Sequence, residues 1–212
     1  MAASVSKTNT LLPDQEATLQ ELHHILDEAT SKELDKPNAK SFLNVHHGAL
    51  VPMPDEYNLI SEGLYIGGEA LARDISSLEA KGIKHVVNCS QGRRFGQVNT
   101  GKDFYEGSGI LYHGIPGHDS VKFDISVYFE PAASFIEEGL RSGSVYVHCH
   151  QGISRSATIL IAFLMLKRGK TAVDALQQVL QYRPVRPNNG FLKRLAIFQT
   201  TLTAGVEGTT SN

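Results

Sequence analysis

Apolar positions Leu19, Leu22, Ile25, Leu26 and Ala29 recur at helical spacing and predict one amphipathic helix near the start of the chain. Pro13 opens it, and Asp14 and Glu16 suit the positive end of its dipole. Asp35, Lys36, Pro37 and Asn38 end it near Leu34. The stretch from there to Glu56 holds Pro52 and Pro54 and reads as linker. From Tyr57 the pattern becomes compact and alternates between two periods. Residues 57–60 and 63–67 read as short strands, and 69–81 as a helix closed by Gly82. Residues 85–88 read as a buried strand, and 91–109 as a polar loop with Arg93, Arg94 and Lys102. A strand over 110–115 leads into a loop over 116–122, then a helix over about 125–140. Residues 144–147 form a short buried strand, followed by helices over 154–167, 171–182 and 189–202.

Strands alternating with helices predict an α/β fold: a central, mostly parallel sheet flanked by helices on both faces, with ligands at the carboxyl ends of the strands. Cys149, Asp119 and Cys89 all fall just past such ends, so one shared site is expected. The chain divides into an N-terminal extension over 1–55, a compact unit over 56–203 and a flexible tail over 204–212, with residues 1–12 also read as flexible. No internal repeat is evident.

Composition narrows the functional classes. With 212 residues and 41% hydrophobic content, one domain of about 150 residues with extensions has enough apolar side chains for a core. A net charge of −2 supplies no dominant basic field, which argues against a nucleic-acid or membrane-surface binder. Two cysteines exclude a disulfide framework and suit a reducing compartment. Residues 1–12 lack an apolar signal core, and the longest apolar run, 157–166, falls short of the roughly 20 residues a bilayer needs. The expectation is a cytoplasmic protein, with the nucleus the other compartment open to it.

The chemistry concentrates in His148-Cys149-His150-Gln151-Gly152-Ile153-Ser154-Arg155-Ser156, lying between a buried strand and a helix start. A strand, a tight loop and a helix N-terminus aim backbone N–H groups and the positive dipole end at one point, which suits an anion. A thiol there ionises readily, and Arg155 offers a planar fork for two oxygens of one phosphate. The loop reads as a phosphate site with a thiolate at its floor. His148 and His150 alone, without a carboxylate cluster, make a poor zinc site, so neither metal nor cofactor is expected.

The string His-Cys-x-x-Gly-x-x-Arg-Ser resembles the signature of the protein tyrosine phosphatase superfamily, and the Ser-Arg-Ser-Ala-Thr run over 154–158 is similar to its dual-specificity branch. The stretches around Asp119-Ser120, Phe123-Asp124-Ile125-Ser126 and Pro187-Asn188-Asn189-Gly190-Phe191-Leu192 resemble small enzymes of that branch, and residues 83–88 with Val98-Asn99-Thr100 resemble its atypical, VHR-like subgroup related to the vaccinia phosphatase. The likeness covers 56–203, which is therefore read as the catalytic domain. It implies Cys149 as nucleophile, Arg155 as ligand of the equatorial phosphate oxygens, and Asp119 as general acid in preference to Asp124. It also implies Ser156 as the hydroxyl that assists the departing thiolate, and His148 as the group that orients the loop and keeps the thiolate ionised. Backbone and side-chain groups of His150, Gln151, Gly152, Ile153 and Ser154 line the substrate site. Arg183 matches a position that binds a second phosphate, with pairing to a helix C-terminus as the other reading. Asn88 and Asn188 are expected to fix the surrounding loops, and His118 to lower the pKa of its neighbour Asp119.

The resemblance implies hydrolysis of phosphotyrosine and phosphoserine or phosphothreonine on proteins through a cysteinyl-phosphate. His150, Gln151, Ile153 and Ser154 put no lysine inside the loop, which disfavours a phosphoinositide substrate. Mitogen-activated protein kinases enter as substrates by family analogy only. A phosphoprotein trap without turnover, a phosphatase for a non-protein ester and a sulfur transferase are the competing readings. Cys89 is either a small buried thiol or a redox partner of Cys149. The N-terminal helix either covers the core or recruits a partner.

Overall fold

The computed structural model describes residues 10–34, 43–52 and 55–207. The readings of 1–9 and 208–212 as flexible lie outside the described residues. The elements are α1 (Pro13–Leu34), a hairpin of β1 (Leu43–His46) and β2 (Ala49–Pro52), then β3 (Tyr57–Ser61), β4 (Leu64–Gly67), α2 (Glu69–Ala72), α3 (Ile75–Ala80) and β5 (Ile83–Asn88). They continue with β6 (Leu111–Gly114), α4 (Phe129–Ser142), β7 (Ser144–His148), α5 (Arg155–Arg168), α6 (Ala172–Leu180) and α7 (Asn189–Glu207).

Five strands form the central sheet in the order β3-β4-β7-β5-β6. Only the β3–β4 pair is antiparallel; β4–β7, β7–β5 and β5–β6 run parallel, joined by long crossover connections. On one face Ile83, Val86 and Tyr146 of the sheet pack with Leu71 of α2, Leu78 of α3 and Tyr105. The other face packs against the larger core built by α4 to α7. At its centre α5 is buried from Arg155 to Met165, so past its polar first turn its sequence is apolar all round rather than on one stripe. Among the described residues, no helix is long and apolar enough to cross a membrane.

Four expectations change. The segment read as linker contains an antiparallel hairpin, with His46 paired to Ala49 across a two-residue turn. Its turn residues His47 and Gly48 have φ of 48° and 79°, the left-handed pair such a turn demands. The helix expected over 69–81 is two helices, because Asp74 accepts from the Ser77 backbone N–H and starts a second one. The helix expected from about 125 begins as a 3₁₀ turn over Ile125–Tyr128, initiated by Asp124, before α4 proper. The flexible tail expected from 204 is helical as far as Glu207.

The N-terminal helix covers the core. Leu22 and Leu26 of α1 are buried in the main apolar cluster, with Leu19 and Ile25 packed at its edge. Arg186 fastens it by donating to the Leu26 carbonyl at 3.2 Å, Thr30 Oγ1 at 3.1 Å and Asp27 Oδ1 at 2.7 Å.

Candidate active site

The carboxyl ends of β7, β5 and β6 open onto one site, as parallel strands dictate. Cys149 leaves β7, turns through residues 150–154 and enters α5 at Arg155. The loop is held from outside by its carbonyls. His150 O accepts from the Glu69 N–H at 3.0 Å, and Ile153 O from the Arg186 N–H at 2.9 Å. Gln151 O and Gly152 O accept from Arg183 Nη2 at 2.9 Å and Nε at 2.7 Å. In a trans peptide the C=O and the following N–H point in opposite directions. Four consecutive carbonyls turned outward therefore turn the N–H groups of Gln151, Gly152, Ile153 and Ser154 inward. The Gly152 N–H accordingly donates to Cys149 Sγ at 3.2 Å.

Gly152 makes this turn possible. Its φ is 72°, and a Cβ there would lie 2.5 Å from the carbonyl carbon and oxygen of Gly67.

Cys149 is buried, and burial by itself opposes ionisation. Arg155, the Ser156 hydroxyl and the Ser156 N–H outweigh that cost and hold the thiol below its ordinary value. Ser156 Oγ lies 3.3 Å from Sγ. Cys89 behaves oppositely. The register pairs Asn88 with His148, so the two thiols follow neighbouring residues of adjacent strands. Burial pushes the Cys89 thiol well above its ordinary range, the opposite direction to Cys149. Both cysteines are free thiols.

Arg155 is clamped from one side: Nη1 donates to the carbonyls of Gly96 at 2.7 Å and Gly117 at 3.1 Å. Its Nε lies 3.7 Å from Asp119 Oδ2 and, although buried, has no hydrogen-bond partner among the described residues. A cationic donor fixed by carbonyls, with one buried N–H left over, is suited to an anion.

Asp119 is brought into the same site by α5 and α7. Its Oδ1 accepts from Ser154 Oγ at 2.8 Å and Asn188 Nδ2 at 2.9 Å. Burial acts to raise its pKa, but Asn188, Arg155, Ser154 and His47 together hold it below the usual carboxylate range. His118 is not among these groups; its ring meets Phe123 edge-on at 6.0 Å. Asp124 is used elsewhere, accepting from the Ser126 N–H at 3.2 Å and lying 3.3 Å from Arg194 Nε.

His148 is fully buried, and burial lowers its pKa to about 4, so it is neutral. Its Nδ1 lies 3.2 Å from the Cys149 carbonyl, and Tyr146 stacks on it at 5.5 Å. It can orient the loop but, being neutral, brings no positive charge to the Cys149 sulfur. His150 is half-exposed, its Nδ1 2.8 Å from Glu69 Oε1 at an angle unsuited to a hydrogen bond. Gln151 is exposed, whereas Ile153 and Ser154 are buried, so the latter two shape the loop by carbonyl and hydroxyl.

Arg183 corrects both readings of that position. It is 1% exposed, and besides the two loop carbonyls it donates to Asp55 O at 2.8 Å and Asn58 Oδ1 at 2.7 Å. It builds the loop and is not presented to a second phosphate. Asn88 and Asn188 do fix loops as expected. Asn88 Nδ2 donates to Val98 O at 3.0 Å and Thr100 Oγ1 at 3.1 Å, while Asn188 Oδ1 accepts from the Phe191 N–H at 3.1 Å.

A family model described as "Dual specificity phosphatase, catalytic domain" matches residues 64–201. The chain belongs to the dual specificity phosphatases. It is 45% identical over 141 residues to dual specificity protein phosphatase 13B of Homo sapiens, covering 66% of this chain and 70% of that protein. It is 43% identical over 147 residues to the Mus musculus protein of the same name, covering 68% and 73%. The solved structure of human DUSP28 superposes with a TM-score of 0.62 at 27% identity, over 72% of this chain and 99% of that one. This dual specificity phosphatase is a hydrolase of phosphotyrosine and phosphoserine or phosphothreonine in proteins, and it belongs to the cysteine-based superfamily whose reaction runs through a cysteinyl-phosphate.

Two residues at the site escaped the sequence reading. His47 Nε2 lies 2.9 Å from Asp119 Oδ1, and His46 Nε2 lies 3.5 Å from Oδ2. The available signal was Val45-His46-His47-Gly48-Ala49, a strand–turn–strand pattern with glycine at the turn.

Proposed function

We propose that the residues gathered at the carboxyl end of β7 divide the phosphatase reaction as follows. The Cys149 thiolate attacks phosphorus, forming S–P while the P–O bond to the serine, threonine or tyrosine oxygen breaks. Arg155 Nε and the inward-facing N–H groups of the loop bind the nonbridging oxygens, more tightly as charge develops on them. Asp119 gives its proton to the departing oxygen. In the second half Asp119 takes a proton from water, the water oxygen bonds to phosphorus, S–P breaks, and the Ser156 hydroxyl donates to the released thiolate.

The resting carboxylate is ionised, whereas an acid must arrive protonated. A phosphate dianion entering beside it supplies the like charge that raises its pKa, so the substrate itself prepares the acid. The observation that carries this reading is the pairing of a stabilised thiolate with a clamped Arg155 whose buried Nε has no hydrogen-bond partner among the described residues.

Phosphorylated proteins are the substrates, and we place mitogen-activated protein kinases first among those to be tried, on family analogy. A lysine-free loop, with His150 near Glu69, gives a polyanionic lipid head group little to hold. The test is rapid acid quench of the enzyme with a labelled phosphotyrosine peptide. A phosphoenzyme that forms in the parent and Asp119→Ala proteins and is missing in Cys149→Ser is expected. Label bound without the thiol overturns the assignment.

A further inference from the structure

Neighbouring residues of a strand point to opposite faces, yet His46 and His47 meet at one carboxylate. The turn causes this: His46 ends β1, and the left-handed φ of 48° at His47 swings the next ring back to the same side. The two rings stand 4.6 Å apart and nearly perpendicular, at 81°. One ligand atom from each ring and one oxygen of Asp119 all lie within 4.8 Å of one another. A tetrahedral zinc ion with bonds of about 2.1 Å sets its ligand atoms about 3.4 Å apart. His46 Nε2 stands at about that spacing from Oδ2, at 3.5 Å, while His47 Nε2 lies 2.9 Å from Oδ1, at hydrogen-bond distance. His46 Nε2 is also buried with no hydrogen-bond partner among the described residues. Ser154 and Asn188 both donate to Oδ1, the oxygen nearest His47, which fixes the carboxylate's orientation as hydrogen bonds do for metal ligands generally.

We propose that His46, His47 and Asp119 form a binding site for a divalent transition ion, zinc by ligand type, that clamps the N-terminal hairpin to the active site. Two imidazoles and one carboxylate favour zinc over magnesium or calcium, which prefer all-oxygen sets. The Arg155 guanidinium, 3.7 Å from Oδ2, opposes the cation and weakens the site. A bound ion ties up Asp119 and so slows turnover. That consequence, unlike the binding, rests on Asp119 being the general acid.

The test uses the full-length Cys149→Ser protein, which removes the thiolate as a competing zinc ligand. Calorimetric titration with zinc chloride is expected to show one ion per chain, and magnesium chloride none. In the same background, H46Q together with H47Q keeps side chains able to hydrogen-bond Asp119 and is expected to bind zinc at least tenfold more weakly. Cobalt chloride is expected to give visible absorption bands that this variant lacks. If the double variant does not melt like its parent in EDTA, H47Q alone is measured. Zinc binding of equal strength with and without the histidines, or no binding, overturns the site. With active enzyme, zinc is expected to slow hydrolysis of a phosphothreonine peptide at a concentration at least tenfold lower than in the H46Q, H47Q protein. Histidine-dependent binding with unchanged turnover sustains the site and overturns the acid role of Asp119.

Discussion

Ser154 Oγ donates to Asp119 Oδ1 over 2.8 Å, so the loop that begins at Cys149 also holds the carboxylate 35 residues upstream. The proposed nucleophile and the proposed acid are thereby kept in one geometry by Ser154, which is itself 1% exposed. Ser154→Ala removes one hydrogen bond of about 1 kcal/mol, which is about a fivefold loss where protonation of the leaving group limits the rate. The loss is expected with phosphoserine peptides and not with nitrophenyl phosphate, whose leaving group needs little help. Comparing kcat for the two substrates checks it.

The thiol of Cys149 ionises more readily in the folded chain than its ordinary value of 9.0. The acid limb of kcat/KM is therefore expected below that pH, and absorbance titration at 240 nm on parent against Cys149→Ser gives the same inflection. The sign of the linked stability follows. With the folded pKa depressed, the thiolate contributes stability that is complete above the unfolded thiol's pKa and is lost as pH falls through the folded value. The stability of the parent relative to Cys149→Ser is expected to decline toward acid across that window.

Gly152→Ala places a Cβ at φ 72° and within 2.5 Å of the Gly67 carbonyl. Left-handed backbone costs a side chain about 1–2 kcal/mol before any clash. A drop of at least that size in urea stability is expected. A fall in kcat/KM of more than about tenfold is also expected, because the inward N–H groups lose their aim. An Ala variant with parental kinetics would show that the loop tolerates another path.

Arg183→Ala uncovers the carbonyls of Gln151, Gly152 and Asp55 and the side chain of Asn58. Loss of a buried, charge-assisted set predicts about 3–5 kcal/mol of destabilisation. The kinetic prediction separates loop-building from phosphate docking. Singly and doubly phosphorylated peptides are expected to lose kcat/KM by the same factor, whereas a docking residue would penalise the doubly phosphorylated one selectively.

Leu22 of α1 is fully buried in the main core. Leu22→Ala is expected to cost about 2–5 kcal/mol in thermal or urea unfolding, with a single transition. A change near zero would mean that α1 is dispensable for the catalytic fold.

The sequence determined the parts whose signal is local. Hydrophobic period placed β3 to β7 and α4 to α7 within a few residues, and the unbroken string from His148 to Ser156 carried the superfamily and, with it, the proposed nucleophile and its arginine. Asp119 followed from its place in a family-like stretch, and Asn88 and Asn188 from their positions at strand and helix ends. Three matters were decided by tertiary structure, because each depends on a partner far away in the chain. Arg183 was legible as a cation but not as a buried one; its carbonyl partners lie as far off as Asp55, 128 residues away. His148 was legible as a titrating group, but complete burial, which leaves it neutral, exists only after the sheet and its flanking helices close. His46 and His47 were legible as turn residues at best. Their meeting with Asp119, 72 residues on from His47, needed the hairpin to pack across the mouth of the parallel sheet. Periodicity and motif report what a residue does to its near neighbours; desolvation and long-range pairing arise only when the layers come together.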